Sequence, residues 1–366
     1  MKTRNPRRSA DNFRLQTYIE EELAEAKKLE KQDHLSSDEL IDIALAYLEI
    51  GDWKTVRKYV ELALEQEKTN KEINATAHYI NGTINRELND CKGAHADFKQ
   101  ANDIAKSDWL KVNIQRNEGL TYLKEKEFEI AATTFQSALD FASKCASKDE
   151  LRGCIPALSN YFGLSQARAA IKLSKDPAQG LATLENTTQL YETIFAEKKI
   201  TESERRKSHD WQSHQFHRGM ILCEIAETKI KEEKTAENMF QQAETLLLGA
   251  LVGRIENKAD EQRLGDVCGW LGRTYAGFKQ YEKSQEYFEK ALNYYKVAFA
   301  TATTEVSQIK DINTRLENLI KEKLAHDKDK KPFADLTAPI SPGQGVFAVS
   351  PARSAIVIDT PAPRLA

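Results

Sequence analysis

Apolar and polar residues follow one another along most of this chain with the spacing of an α-helix. In residues 40–64, LIDIALAYLEIGDWKTVRKYVELAL, apolar positions lie three or four apart: Leu40, Ala44 and Tyr47, then Val56, Val60 and Ala63. Gly51 and Asp52 break the run between them. A helix turns once every ~3.6 residues, so this spacing lines one face with apolar groups and leaves the other charged. Residues 116–139 (RNEGLTYLKEKEFEIAATTFQSAL) and 268–292 (CGWLGRTYAGFKQYEKSQEYFEKAL) repeat the pattern. It predicts antiparallel helix pairs joined by short turns. The prolines agree. Between residues 7 and 331 the chain carries Pro156 and Pro177, whereas Pro332, Pro339, Pro342, Pro351, Pro361 and Pro363 crowd the end. Proline inside a helix costs about 3 kcal/mol. The long stretch reads as all-α, and residues 332–366, rich in Pro, Ala and Ser without a helix period, read as disordered.

The three segments align residue by residue. Ala44, Gly119 and Gly272 each stand three before a tyrosine (Tyr47, Tyr122, Tyr275). The second helix then carries Val56, Val60 and Ala63; Ala131, Phe135 and Ala138; or Ser284, Phe288 and Ala291. Two helices cross closely where a small side chain faces a large one, and this alternation meets that need. The pattern resembles the tetratricopeptide repeat, with small-x-x-aromatic on a first helix and A-x-x-x-F-x-x-A on a second. The resemblance implies a tetratricopeptide-type α-solenoid, a right-handed superhelix of antiparallel helix pairs.

The clearest repeats are about 38–67, 75–105, 112–143 and 265–296. Gly82, Ala94, Phe98 and Ala101 form a weaker copy, with Asn85 in the tyrosine's place. Ala236, Phe240 and Ala243 keep the second-helix triad, while Glu224 and Glu227 depart on the first helix. Leu164, Ala167, Ile171, Gly180 and Leu184 form a degenerate copy, whose second helix is opened by Pro177. Val56, Ala94, Ala131, Gly180, Ala236 and Ser284 are 38, 37, 49, 56 and 48 residues apart, against a usual period of about 34. Longer helices or insertions such as 148–153 and 198–209 are therefore expected. Long repeats also occur in kinesin light chains and in peptide-sensing regulators of the Rap type.

Stacked repeats need caps at their ends. Residues 13–35 (Phe13, Leu15, Ile19, Leu23, Leu29) and 298–324 (Val306, Ile309, Ile312, Leu316, Leu319, Ile320) carry suitable apolar stripes. The expected organisation is a flexible basic start over 1–12, a helical solenoid over 13–325 and a Pro-rich tail over 326–366.

Composition narrows the function. The net charge is −3, so no basic field calls for nucleic acid; the start, with Lys2, Arg4, Arg7 and Arg8, is too short to do so. No apolar run approaches the ~18 residues of a membrane-spanning helix, and no signal-peptide core follows the first residues. Cys91, Cys145, Cys154, Cys223 and Cys268 are scattered without CxxC spacing. They read as buried free thiols of a reducing compartment, which points to the cytoplasm.

Enzyme chemistry finds little support. No GxGxxG, P-loop, GxSxG or HExxH is present, and Gly265, Gly269 and Gly272 have the wrong spacing for a nucleotide loop. Carboxylates alternate with lysines, as on solvated helix faces. The chain reads as non-enzymatic and without a cofactor. One cluster, SHDWQSHQFH, sets His209, His214 and His217 close together beside Asp210. A metal-binding role through these histidines is an alternative, although nothing names a further ligand.

The resemblance further implies that a peptide or partner protein binds a concave face lined by first helices. Side chains between the buried positions there include Asp42, Tyr79, Arg86, Arg116, Asn117, Gln166, Arg218 and Arg273. Arginine forks suit carboxylates and amides suit extended backbones, so an acidic or carboxylate-bearing peptide is the expected ligand. Co-chaperone repeats of this family hold a chaperone's terminal carboxylate with Lys and Asn on the first helix; Ile41 and Leu45 stand there instead. The resulting reading is an interaction scaffold or adaptor. Its alternative within the family is a ligand-gated, Rap-like regulator of a partner's activity. In the tail, residues 345–349 (GVFAV) and 355–358 (AIVI) could dock on a partner, and Ser341, Ser350 and Thr360 precede prolines as candidate phosphosites.

Overall fold

The computed structural model describes residues 16–67, 69–145, 149–257, 259–300 and 307–329. The basic start and the Pro-rich tail, with Ser341, Ser350 and Thr360, lie outside the described residues. Two compact units are distinguished, 1–320 and 321–366.

In the first unit, α1 (Gln16–Leu29) precedes the helix pairs α2–α3 (Ser37–Glu49, Trp53–Gln66), α4–α5 (Lys71–Glu87, Cys91–Ile104) and α6–α7 (Asp108–Lys124, Phe128–Lys144). A short α8 (Asp149–Arg152) leads into α9–α10 (Ile155–Lys172, Ala178–Glu197). Another short helix, α11 (Glu202–Arg206), precedes α12–α13 (His209–Thr228, Glu233–Glu256). The pair α14–α15 (Glu261–Gly277, Tyr281–Ala298) follows, and α16 (Ser307–Asp329) starts in this unit and runs past 320, where the unit ends, and past the boundary expected at 325. The described residues form no strand. None of their helices is long and apolar enough to cross a membrane.

Three of the pairs, α4–α5, α6–α7 and α14–α15, close where a glycine meets a ring. A Cβ on Gly82, Gly119 or Gly272 would come within 2.7, 2.8 and 2.5 Å of the rings of Phe98, Phe135 and Phe288. All three rings are buried. This close approach is what the small-versus-aromatic pattern encodes. Gly265 and Gly269 are spent the same way, against Tyr295 and Ile312. The three glycines of 265–272 are thus packing surfaces of α14.

Five of the six turns within pairs share one geometry. Gly51, Asn89, Lys126, Ser174 and Lys279 have φ of 76, 66, 62, 53 and 57°. The next residue's N–H then reaches back to the carbonyl of Tyr47, Asn85, Tyr122, Ala170 or Tyr275, at 2.8–3.2 Å. Left-handed residues let the last helical carbonyls find donors. The same bond fixes the degenerate copy's register: Ala170 holds the tyrosine position and Ala167 the small one. Lys279 is exposed and carries a Cβ where glycine fits best. Lys279→Gly is expected to raise stability by about 0.5–1 kcal/mol, read as a higher urea midpoint with an unchanged slope.

The core is a relay of clusters. One spans α1 to α6, another α6 to α9, a third α9 to α14 and a fourth α14 to α16. At the front, Tyr47 and Tyr59 donate to the two carboxylate oxygens of Glu30, at 3.0 and 2.8 Å, tying the end of α1 to the first pair. The insertion before α12 is anchored through amides: Gln212 Nε2 donates to Arg206 O and Asn257 Nδ2 to Lys207 O, both at 2.7 Å. The long spacing of the rear repeats therefore comes from the 20-residue α12, the 24-residue α13 and this packed insertion.

Candidate functional site

First helices neighbour one another in the order α2, α4, α6, α9, α12, α14. Side chains on their shared side form a strip along the unit.

At the front of the strip, Arg86 Nη1 donates to Asn117 Oδ1 at 2.6 Å and pairs with Glu87. Asn117 Nδ2 donates to Tyr79 Oη and to Asn113 O. Lys124 Nζ reaches the carbonyls of Arg86 and Glu87, and Lys172 Nζ that of Lys126. Each lysine sits at the C-terminal end of the preceding first helix, where positive charge is favoured.

In the middle, Arg116 Nη2 lies 3.7 Å from Asp210 Oδ1. The two side chains are 11% and 9% exposed. The Tyr161 ring lies 5.7 Å from the guanidinium and 5.5 Å from the His217 ring. Burial opposes the charge on Arg116, but Asp210, Tyr161 and other neighbours outweigh it and raise the pKa.

At the rear, Arg168 Nε lies 3.1 Å from Glu224 Oε2, with the Phe128 and Trp270 rings each 5.8 Å from its guanidinium. The Arg273 guanidinium lies 3.7 Å from the centroid of the Trp270 ring and grips both oxygens of Glu227. Planar guanidinium suits both the stacking and the two-point grip. Burial lowers the pKa of Arg168 and raises that of Glu224, each only partly offset by the other's charge.

Of the residues expected on this surface, Arg86, Arg116, Asn117 and Arg273 lie on the strip. Gln166 and Arg218 turn elsewhere. Gln166 Oε1 accepts from Thr183, and Arg218 reaches Thr188 and Glu185, all on α10. The small-residue frame misjudges the rotation of α9 and α12, where the repeat is degenerate. Arg168, Trp270, Glu224 and Glu227 also lie on the strip, where sequence reasoning did not place them. A signal existed: Arg168 and Arg273 each stand six before their turn residues Ser174 and Lys279.

The histidines face inward. His214 Nδ1 is 3.1 Å from Asn160 Oδ1, and its Nε2 is 2.9 Å from Thr188 Oγ1; His217 Nδ1 is 2.9 Å from Asn160 Nδ2. Asn160 thus accepts from one ring and donates to the other, which assigns their tautomers. Burial, with Arg218 beside His214 and Arg254 beside His217, lowers both pKa values to about 3. His209 opens α12, partly exposed. Among the described residues, no group of three or more His, Cys, Asp or Glu could hold a metal ion. Burial pushes the Cys223 and Cys268 thiols up to about 12, which keeps them protonated.

No protein-family model matches this chain, and no curated protein matches it. Solved structures do. A signal-transduction ATPase with numerous domains from Pyrococcus horikoshii, which carries a tetratricopeptide repeat sensor, matches 84% of this chain and 45% of its own, with 10% identity and a TM-score of 0.50. BtubC from P. vanneervenii matches 78% of this chain and 100% of its own, with 15% identity and a TM-score of 0.42. PilF from Pseudomonas aeruginosa matches 76% and 97%, with 15% identity and a TM-score of 0.41.

Proposed function

Because the chain folds as a tetratricopeptide-type α-solenoid, we propose that it is a non-enzymatic interaction scaffold. It holds a peptide, or an extended segment of a partner protein, along the first-helix strip. The observation that carries this is the rear of the strip. Arg168, Glu224, Glu227, Trp270 and Arg273 come from three successive helix pairs, and each is partly open to solvent. Tryptophan and arginine are the side chains that most often anchor interfaces. Stacking and ion pairing already restrict their rotamers, so a ligand meets a preorganised surface and less entropy is lost on binding. Arg86, Arg116 and Asn117 extend the same strip forward. This is a recognition surface without a reaction, since its groups bind and orient.

The test is affinity capture with the full chain and with its Trp270→Ala/Arg273→Ala variant, followed by quantitative mass spectrometry. The variant is expected to recover the principal partners at least tenfold less well with unchanged far-ultraviolet circular dichroism. Equal recovery would leave the strip without a binding role.

A further inference from the structure

We infer that the Arg116–Asp210 pair reads an uncharged, amide-bearing stretch of peptide, and that the centre of the strip disfavours acidic ligands. The inference rests on the peptide-binding reading above and names the ligand chemistry of that site.

The pair has an unusual balance. Both side chains are about nine-tenths buried, yet the charged atoms stand 3.7 Å apart. Among the described residues neither group makes a hydrogen bond, and Arg116 Nε is buried without a partner. A guanidinium has five donors and a carboxylate only acceptors, and leaving such groups unfilled when buried is costly. Nε is sealed from solvent, so the capacity open to a ligand is that of the Arg116 Nη groups and the Asp210 carboxylate, and the pair has no net charge.

Charge decides which ligand can use it. A ligand carboxylate could reach Arg116 only by sitting beside Asp210, and two like charges that close repel strongly in a partly buried site. A ligand ammonium meets the same obstacle from Arg116. A peptide amide, or the carboxamide of Asn or Gln, carries a C=O for the guanidinium and an N–H for the carboxylate. It satisfies both without adding charge. The position suits this role. The pair joins α6 to α12 beside Tyr161 of the intervening α9, whose ring offers a flat wall. The next pair along the strip, Arg168 with Glu224, is neutral as well. The arginines that suggested an acidic ligand are thus each matched by a carboxylate of the chain itself.

The test measures fluorescence-polarisation binding of the full chain to three labelled peptides of about 12 residues. One is built from Asn, Gln, Ser and Gly; the others replace Gln by Glu or by Lys. The unmodified chain should bind the neutral peptide at least tenfold more tightly than either charged one. Asp210→Asn should move the preference at least tenfold towards the Glu peptide, and Arg116→Gln towards the Lys peptide. A preference of the unmodified chain for the Glu peptide would overturn the inference, even if both variants failed to fold. So would an unmoved preference in a folded Asp210→Asn chain. In either case, loss of binding on Trp270→Ala/Arg273→Ala would show that the strip still binds peptide. If none of the three peptides bound, the inference would fall; unchanged partner capture by Trp270→Ala/Arg273→Ala would then remove the underlying reading too.

Discussion

Lowering the pH from 7.5 to 5 is expected to remove about 4 kcal/mol of folding stability through His214 and His217 together. Both rings are neutral in the folded chain, with pKa values held at about 3 by burial and by nearby arginines. In the unfolded chain a histidine titrates near 6.5. Between those values the unfolded state takes up protons that the folded state refuses. Stability therefore falls as pH falls, starting near 6.5 and continuing to about 3. At pH 5 each ring accounts for about 2 kcal/mol. Glu118, Glu224 and Asp266 act in the opposite sense, because burial raises their pKa values and the folded state protonates first. The informative measurement is thus a difference: urea unfolding at both pH values for the unmodified chain and for His214→Asn/His217→Asn. The variant should be less stable at pH 7.5, since Asn160 loses its partners, but should lose much less on acidification. An equal loss in both chains would clear the histidines.

Gly180→Ala is the most damaging single methyl expected in the fold, at about 3 kcal/mol. A Cβ there would lie 2.4 Å from the nitrogen and 2.7 Å from the Cα of Ala167. These are backbone atoms of the facing helix, so relief requires α9 and α10 to move apart. At Gly272 the obstacle is the Phe288 ring, at 2.5 Å, which can tilt. At Gly249 it is the Gln215 amide, at 3.2 Å, the end of a flexible side chain. Alanine improves helix propensity by about 1 kcal/mol over glycine. The expected order of stability is therefore Gly249→Ala, then Gly272→Ala, then Gly180→Ala, read from denaturation midpoints. A Gly180→Ala chain as stable as Gly249→Ala would show that the two helices are not in backbone contact.

These residues show what could be read from one dimension. Gly119 and Phe135, or Gly272 and Phe288, lie sixteen residues apart in the chain. They share one helix pair, so their fit is set by local periodicity and a short turn. The six-residue offset from turn to arginine is equally local. The strip's pairing is different. Arg168 and Glu224 are separated by 56 residues, and Arg116 and Asp210 by 94. Their meeting depends on how α6, α9 and α12 stack in space, which lies beyond one helix pair. Gln166 and Arg218 accordingly meet α10, and Glu224 and Glu227 meet arginines of neighbouring pairs.

By itself, the amino-acid sequence determined an all-α chain of paired helices with small-to-aromatic crossings, because helical period and close packing act over a few turns. The tertiary structure alone decided which charges neutralise one another. Coulombic attraction and burial depend on distance in space, and stacking brings together side chains that the chain keeps far apart.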